Sequence, residues 1–333
     1  MGVGTFQNPG PATIDDVALE PLLNELREEI GIQAEAIQNE RNAYIGEPTL
    51  KQTVQIVTVG MEFKPDGQGG GVPGLQHLPS FSISLTAPDR LTLGTGIKQR
   101  AWEEGLSSND VRRNVAEALK AYQRVWRRCI TQAKLALSGW YDGTVTPPPF
   151  DGITFASSHS HYVAENASSL ITQNILVDNA LLITEHGYDP AGVFCELNQY
   201  DLARVVKQGE VVQSNETIIS PIVQRMQEMG LRSQYTLGGV PLMTNNFIPN
   251  GYAWVGTLER PPMAARREVN DSGNLNTYME TVLPNADMRW ISEFSCWAVI
   301  PDVVEMGAGV ALWLADSQNS DTYSAPSDLI ELV

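Results

Sequence analysis

The stretch S107-SNDVRRNVAEALKAYQRVWRRCITQAKLALS-G139 is the longest regular segment of the chain. Its apolar residues, Val111, Val115, Leu119, Tyr122, Trp126, Cys129/Ile130, Ala133 and Leu137, recur in steps of three and four, which places them on one helical face. Ser107, Ser108 and Asn109 offer N-caps, no glycine or proline interrupts the run, and Gly139 stands where a left-handed C-cap belongs. The spacing predicts a helix over 108–138, roughly 45 Å long. Opposite the apolar stripe lie Arg112, Arg113, Lys120, Arg124, Arg127, Arg128 and Lys134, against only Asp110 and Glu117. A solvated face or a partner surface both fit such a cationic row.

The surrounding chain is acidic, with a formal net charge of -17 over 333 residues, 42% of them hydrophobic. That is enough apolar material for a full core, and the charge disfavours a protein whose main task is gripping nucleic acid. The apolar runs are too short to span a bilayer, and MGVGTFQNPGPAT lacks the layout of a signal peptide, so synthesis in a reducing cytoplasm and no membrane partner are expected. Cys129, Cys195 and Cys296 are odd in number and set in apolar contexts, which suits buried thiols.

Working outward, residues 14–42 form a second helical segment that Pro21 and Gly31 are expected to divide. Its acids, among them Glu25, Glu28, Glu29 and Glu40, complement the charge of the long helix. From residue 50 the period changes to two through Val54, Ile56, Val57, Val59, Met61 and Phe63, and a second alternating run follows at 80–87. In the Gly/Pro-rich link KPDGQGGGVPG (64–74), the stretch GQGGGVPG lacks the lysine and hydroxyl of a phosphate-binding loop and joins two strands, so the pair reads as a long β-hairpin. Its strands stay apolar almost to the tip, with Met61 and Phe63 before it and Leu75, Leu78 and Phe81 after it, which implies a partner.

Beyond the long helix, residues 140–169 are rich in turn formers, and the sequons at Asn166 and Asn215 carry no weight without a secretory route. His159 and His161 could hold a metal from a strand edge, but no third ligand stands at suitable spacing, so they read as loop histidines and no metal is expected. Residues 172–187, 199–206 and 217–230 read as helices and 192–198 as a buried strand. TLGGVPLMTNNFIPNGYAWVG supplies two strands across a turn at Pro249, Asn250 and Gly251. Strand-like runs follow at 263–269, 288–300 and 308–316, with Arg289, Ser292/Glu293 and Ser295 on the outward side of the middle one, and 317–333 reads as a loose tail. The middle run is the natural packing partner of the long helix, through Trp126 and either Trp290 or Trp297. No nucleophile elbow, zinc-protease motif, kinase set or zinc spacing occurs, which argues against an enzyme and against a cofactor.

This order of elements, with FDGITFASSHSHY after the helix, GGVPLMTNNFIPNGYAWVG and MRWISEFSCWAVIPDVVEMG, resembles the major capsid proteins of tailed bacteriophages with the Hong Kong 97 (HK97-like) fold, shared by encapsulins. The resemblance implies an α+β fold with an N-terminal arm (1–49), an extended β-hairpin loop (50–102), a peripheral domain with a spine helix (103–171), an α/β axial domain (172–258), and return strands with a tail (259–333). It implies a shell subunit whose partners are its own copies in hexamers and pentamers, a portal, a decoration protein in some relatives, and enclosed double-stranded DNA read without sequence specificity. With no large region ahead of the arm, a separate scaffolding protein is implied. Intersubunit contacts are expected at Met61, Phe63, Lys64, Leu75, Leu78 and Phe81, and between Glu25, Glu28, Glu29 and Arg124, Arg127, Arg128 of the same or a neighbouring chain. Self-crosslinking relatives use a loop lysine, and Lys64 lies near the tip, but no asparagine partner is identified. An encapsulin shell and an unrelated α/β enzyme are the other readings.

Overall fold

The computed structural model describes residues 19–57, 80–98, 107–137, 139–142, 154–165, 170–208, 212–213, 235–267, 276–281, 288–314 and 322–327. The predicted helix at 217–230, the hairpin tip and the sequons lie outside them. The chain divides into two compact units, residues 1–39, 88–126 and 268–298 in one and 40–87, 127–267 and 299–333 in the other.

Helix α1 (Leu19–Tyr44) is continuous. Pro21 does not break it, because a residue in the first turn has no N–H partner to lose. Gly31 does not break it either; it is exposed in mid-helix, where it costs only about 1 kcal/mol relative to alanine.

The first unit contains three antiparallel strands: β3 (Asp89–Lys98), β11 (Asn276–Thr281) and β12 (Met288–Ala298), with β12 central. Its other main element is the first part of α2 (Ser108–Leu135). Ser107 is the N-cap. Its Oγ accepts from the Asp110 N–H at 3.3 Å while Asp110 Oδ2 accepts from the Ser107 N–H at 3.0 Å, so each satisfies the other's free donor. Val111, Val115, Leu119, Tyr122 and Trp126 are buried as the spacing predicts. Trp126 meets Trp297 edge to face, with ring centroids 5.0 Å apart at 89°. Residues 294–298 are buried at every position, not alternately, and Ser295, expected outward, accepts from Arg90 Nη2 at 3.3 Å.

In the second unit, β1 (Thr53–Val57) pairs antiparallel with β2 (Ser80–Ser84), from Thr53 opposite Ser84 to Val57 opposite Ser80. Asp302 holds the base of this ribbon, accepting from the Thr86 N–H at 2.7 Å and its hydroxyl at 3.0 Å. The main sheet comprises β4 (Tyr162–Glu165), β5 (Val193–Leu197), β6 (Val212–Gln213), β7 (Tyr235–Leu237), β8 (Val240–Thr244), β9 (Tyr252–Thr257) and β14 (Gly309–Leu314). Their order is β4-β14-β9-β5-β8-β7-β6. The run at 308–316 is therefore not among the strands returning elsewhere; it lies inside this sheet, antiparallel to β9 and parallel to β4. Nor do β8 and β9 form a hairpin across residues 249–251. Both pair with β5, one parallel and one antiparallel, and the tight turn is at Gly238 and Gly239, whose φ of 60° and 87° suits glycine. Helix α3 (Gln173–Thr184), capped by Thr172, packs Leu176 and Ile183 into the core with Val193, Cys195, Leu242, Val255 and Leu312. Helix α4 (Gln199–Lys207) follows β5, capped by Asn198. Within the described part of the predicted strand at 263–269, residues 263–267, the strand is β10 (Met263–Ala264), paired with β13 (Asp302–Val303).

The C-terminus of α2 departs from expectation. The helix stops at Leu135, Leu137 is exposed, and Gly139 makes no left-handed cap. Side-chain donors instead satisfy the last carbonyls: Trp140 Nε1 at Lys134 (2.9 Å), the Tyr323 hydroxyl at Leu135 (2.9 Å) and the Tyr162 hydroxyl at Ala136 (2.7 Å). Gly139 is needed for closeness, since a Cβ there would overlap the side chain of Val303. The tail is accordingly not loose at Tyr323, which is buried.

Candidate functional site

Acidic α1 meets basic α2 within each unit. In the first, Arg112 Nη2 donates to Glu25 Oε2 at 2.7 Å between largely exposed side chains, and this bond holds the Glu25 carboxyl below the ordinary range. In the second, Arg127 Nε donates to Glu40 Oε1 at 2.7 Å, with the Glu40 side chain only 11% exposed. Glu25 thus finds Arg112, and the partner of Arg127 is Glu40, which the sequence marked as acidic without assigning it a contact. Glu28 and Glu29 are exposed, Glu29 accepting from Gln33 at 2.9 Å. Arg124 is exposed with its charge acting on Glu117, and the half-buried Arg128 lies over the Phe247 ring at 5.9 Å. Met61, Phe63, Lys64, Leu75 and Leu78 lie outside the described residues, and Phe81 is described only as the backbone partner of Ile56 in the hairpin.

Lys134 was expected on the cationic outer face; it is 1% exposed. Its Nζ reaches Glu196 Oε1 at 2.5 Å and stands over the rings of Tyr44 and Trp254 at 4.0 and 4.4 Å. Glu196 also accepts from the Tyr44 hydroxyl at 2.7 Å and from Asn245 Nδ2 at 2.8 Å. Burial pulls the lysine below its ordinary range while Glu196 opposes the shift, and burial with the Glu196 charge drives the Tyr44 phenol well up. The sequence held one clue: Lys134 stands four residues after Ile130, on the apolar spacing itself.

The third constellation supplies what the spacing did not show beside the loop residues His159 and His161, a third ligand-type side chain. His186, just beyond α3, joins them, and the three Nε2 atoms lie 2.9 Å (His159 to His161), 3.1 Å (His159 to His186) and 3.0 Å (His161 to His186) apart. Among the described residues this is the group of three or more ligand-type side chains that could hold a metal. His161 is fully buried, with Nδ1 2.7 Å from the Gly309 carbonyl oxygen. The His186 ring is stacked on Tyr141 (5.5 Å, 19°) and on Phe155 (4.5 Å, 17°). No spacing rule reaches His186, because the fold of the second unit brings it in.

The sequence matches no protein-family model and no curated protein. Solved structures give a different result. A chain of Mycobacterium phage Patience superposes with a TM-score of 0.58 at 19% identity, covering 98% of this chain and 95% of that one. The capsid structure of cyanophage P-SCSP1u gives 0.53 at 10% identity, covering 83% and 87%. The capsid asymmetric unit of cyanophage A-1(L) gives 0.53 at 11% identity, covering 83% and 92%. This chain has the fold of phage capsid subunits. The match is one of fold, an α+β arrangement of the Hong Kong 97 type.

Proposed function

We propose that the chain is the major capsid protein of a tailed bacteriophage, a structural subunit that self-assembles into an icosahedral head around double-stranded DNA. The observation that carries this reading is the capsid fold extending over most of the chain in common with two cyanophage capsids. The unit with the seven-stranded sheet contains the axial domain, the unit built on β3, β11 and β12 belongs to the peripheral domain, and the β1–β2 ribbon is the base of the extended loop. Residues 58–79 between those strands, with Met61, Phe63, Lys64, Leu75 and Leu78, reach a neighbouring subunit. The subunit works in the virion without catalysis, alongside a separate scaffolding protein and a portal.

Charge supports a role for the arm as well. Glu25 and Glu40 neutralise part of the cationic face of α2 within the same chain, so acidic scaffold segments compete with the arm for that face. Size-exclusion chromatography with light scattering, across salt and protein concentration and with added scaffolding protein, tests the proposal. Assemblies much larger than a monomer are expected; monomers under every condition would refute it.

A further inference from the structure

We propose that His159, His161 and His186 bind one divalent transition-metal ion of the zinc class through their Nε2 atoms, clipping the 154–161 segment to the end of α3. Three observations carry this, and none depends on the capsid reading. The first is the tautomer of His161. The Gly309 carbonyl oxygen 2.7 Å from Nδ1 is an acceptor only, so Nδ1 carries the proton and Nε2 turns a bare lone pair to the other two rings. A backbone carbonyl behind the ring is the partner that orients metal-ligating histidines.

The second is the hydrogen-bond account of the triangle. Three sides of 2.9, 3.1 and 3.0 Å each call for one proton. His161 Nε2 supplies none. A neutral His159 or His186 carries at most one N–H on Nε2, and an N–H aimed at one neighbour is misaligned for the other. Hydrogen bonding therefore leaves lone pair facing lone pair, or N–H facing N–H, on at least one side. A cation near the centre satisfies all three lone pairs at once. With Zn–N bonds of about 2.0–2.1 Å, a tetrahedral ion sets its nitrogens about 3.3–3.4 Å apart, a few tenths of an ångström beyond the triangle as it stands.

The third is the cradle. Tyr141 and Phe155 both stack on the His186 ring, and a Cβ at Gly307 would collide with that same side chain, so the imidazole is held in orientation before any ion arrives. Three nitrogen donors without a carboxylate or thiolate favour zinc, copper or nickel over magnesium or calcium. Among the described residues no fourth ligand-type side chain joins the three, and water can take the remaining position.

The test uses the untagged full chain, stripped with a chelator and titrated with zinc(II) alone or cobalt(II) alone. About one equivalent of zinc per chain, a tetrahedral cobalt spectrum and a rise in melting temperature on reloading are expected. His186→Ala, and separately His159→Ala at the partly exposed corner, should weaken zinc binding by more than the 10- to 100-fold that loss of an outer partner costs. His77→Ala, which changes the fourth histidine of the sequence, should bind zinc as the parent does. Far-UV circular dichroism confirms that each variant is folded. Absence of stoichiometric zinc binding in the stripped chain, or parental zinc affinity in folded His159→Ala, would overturn the site and leave the three imidazoles as a hydrogen-bonded cluster.

Discussion

Replacing Lys134 with methionine should cost about 3–5 kcal/mol of stability, more than any surface substitution on the same helix. The cost arises less from the lost attraction than from what remains: Glu196, 4% exposed, would keep only the Tyr44 hydroxyl and Asn245 against its charge. Loss of the ammonium from the Tyr44 and Trp254 rings adds about 1–2 kcal/mol in a desolvated setting. Because the penalty belongs to a stranded carboxylate, neutralising it should recover most of the loss. Glu196→Gln in the Lys134→Met background removes the stranded charge and keeps one oxygen to accept from the Tyr44 hydroxyl, at the loss of the bond from Asn245, so the double variant should regain about 2 kcal/mol or more over Lys134→Met alone. Urea unfolding of the unassembled subunit at fixed concentration, followed by fluorescence, measures both. A Lys134→Met cost below about 1 kcal/mol, or a double variant no better than the single, would refute the buried pair as the organising contact at the end of α2.

Trp126→Ala should destabilise the subunit by about 3–5 kcal/mol and yield mostly insoluble protein, since it removes the ring that meets Trp297; a soluble, assembling variant would show that this contact is dispensable. Replacing residues 65–74 with an Asn-Gly turn should leave a cooperatively folded subunit that forms no closed shells, read by circular dichroism and light scattering, and normal shells would exclude the hairpin as the intersubunit arm. Reversing the exposed Arg124 to glutamate should impair assembly more at low salt than at high, because screening weakens exposed charge contacts, whereas adding Arg127 and Arg128 to the change also sets a carboxylate against the nearly buried Glu40 and lowers subunit stability; an assembly yield of the Arg124 variant indifferent to salt would remove that exposed charge from assembly.

The long helix with its buried Trp126 face, the β1–β2 ribbon and the buried β5 were legible in the sequence because each rests on a local period or a turn signal; that Trp126 meets Trp297 and not Trp290 was not. What escaped was non-local. Gly139 looked like a helix cap, but the cap is supplied by Trp140, Tyr162 and Tyr323, and Tyr323 comes from a tail that local composition reads as loose. Lys134 looked like one more surface cation because its partner, Glu196, sits on a strand whose other residues are buried and almost all apolar. His186 is separated from His161 by a helix, so no ligand-spacing rule links them. The placement of β14 inside the seven-stranded sheet depends on pairing partners far along the chain, and alternation alone does not choose among sheets.

The central claim is that this chain builds a shell, and negative-stain electron microscopy of the purified full chain, concentrated with and without scaffolding protein, tests it most directly. Closed shells, tubes or sheets tiled with capsomers are the expected result. A field of dispersed single subunits under both conditions would contradict it.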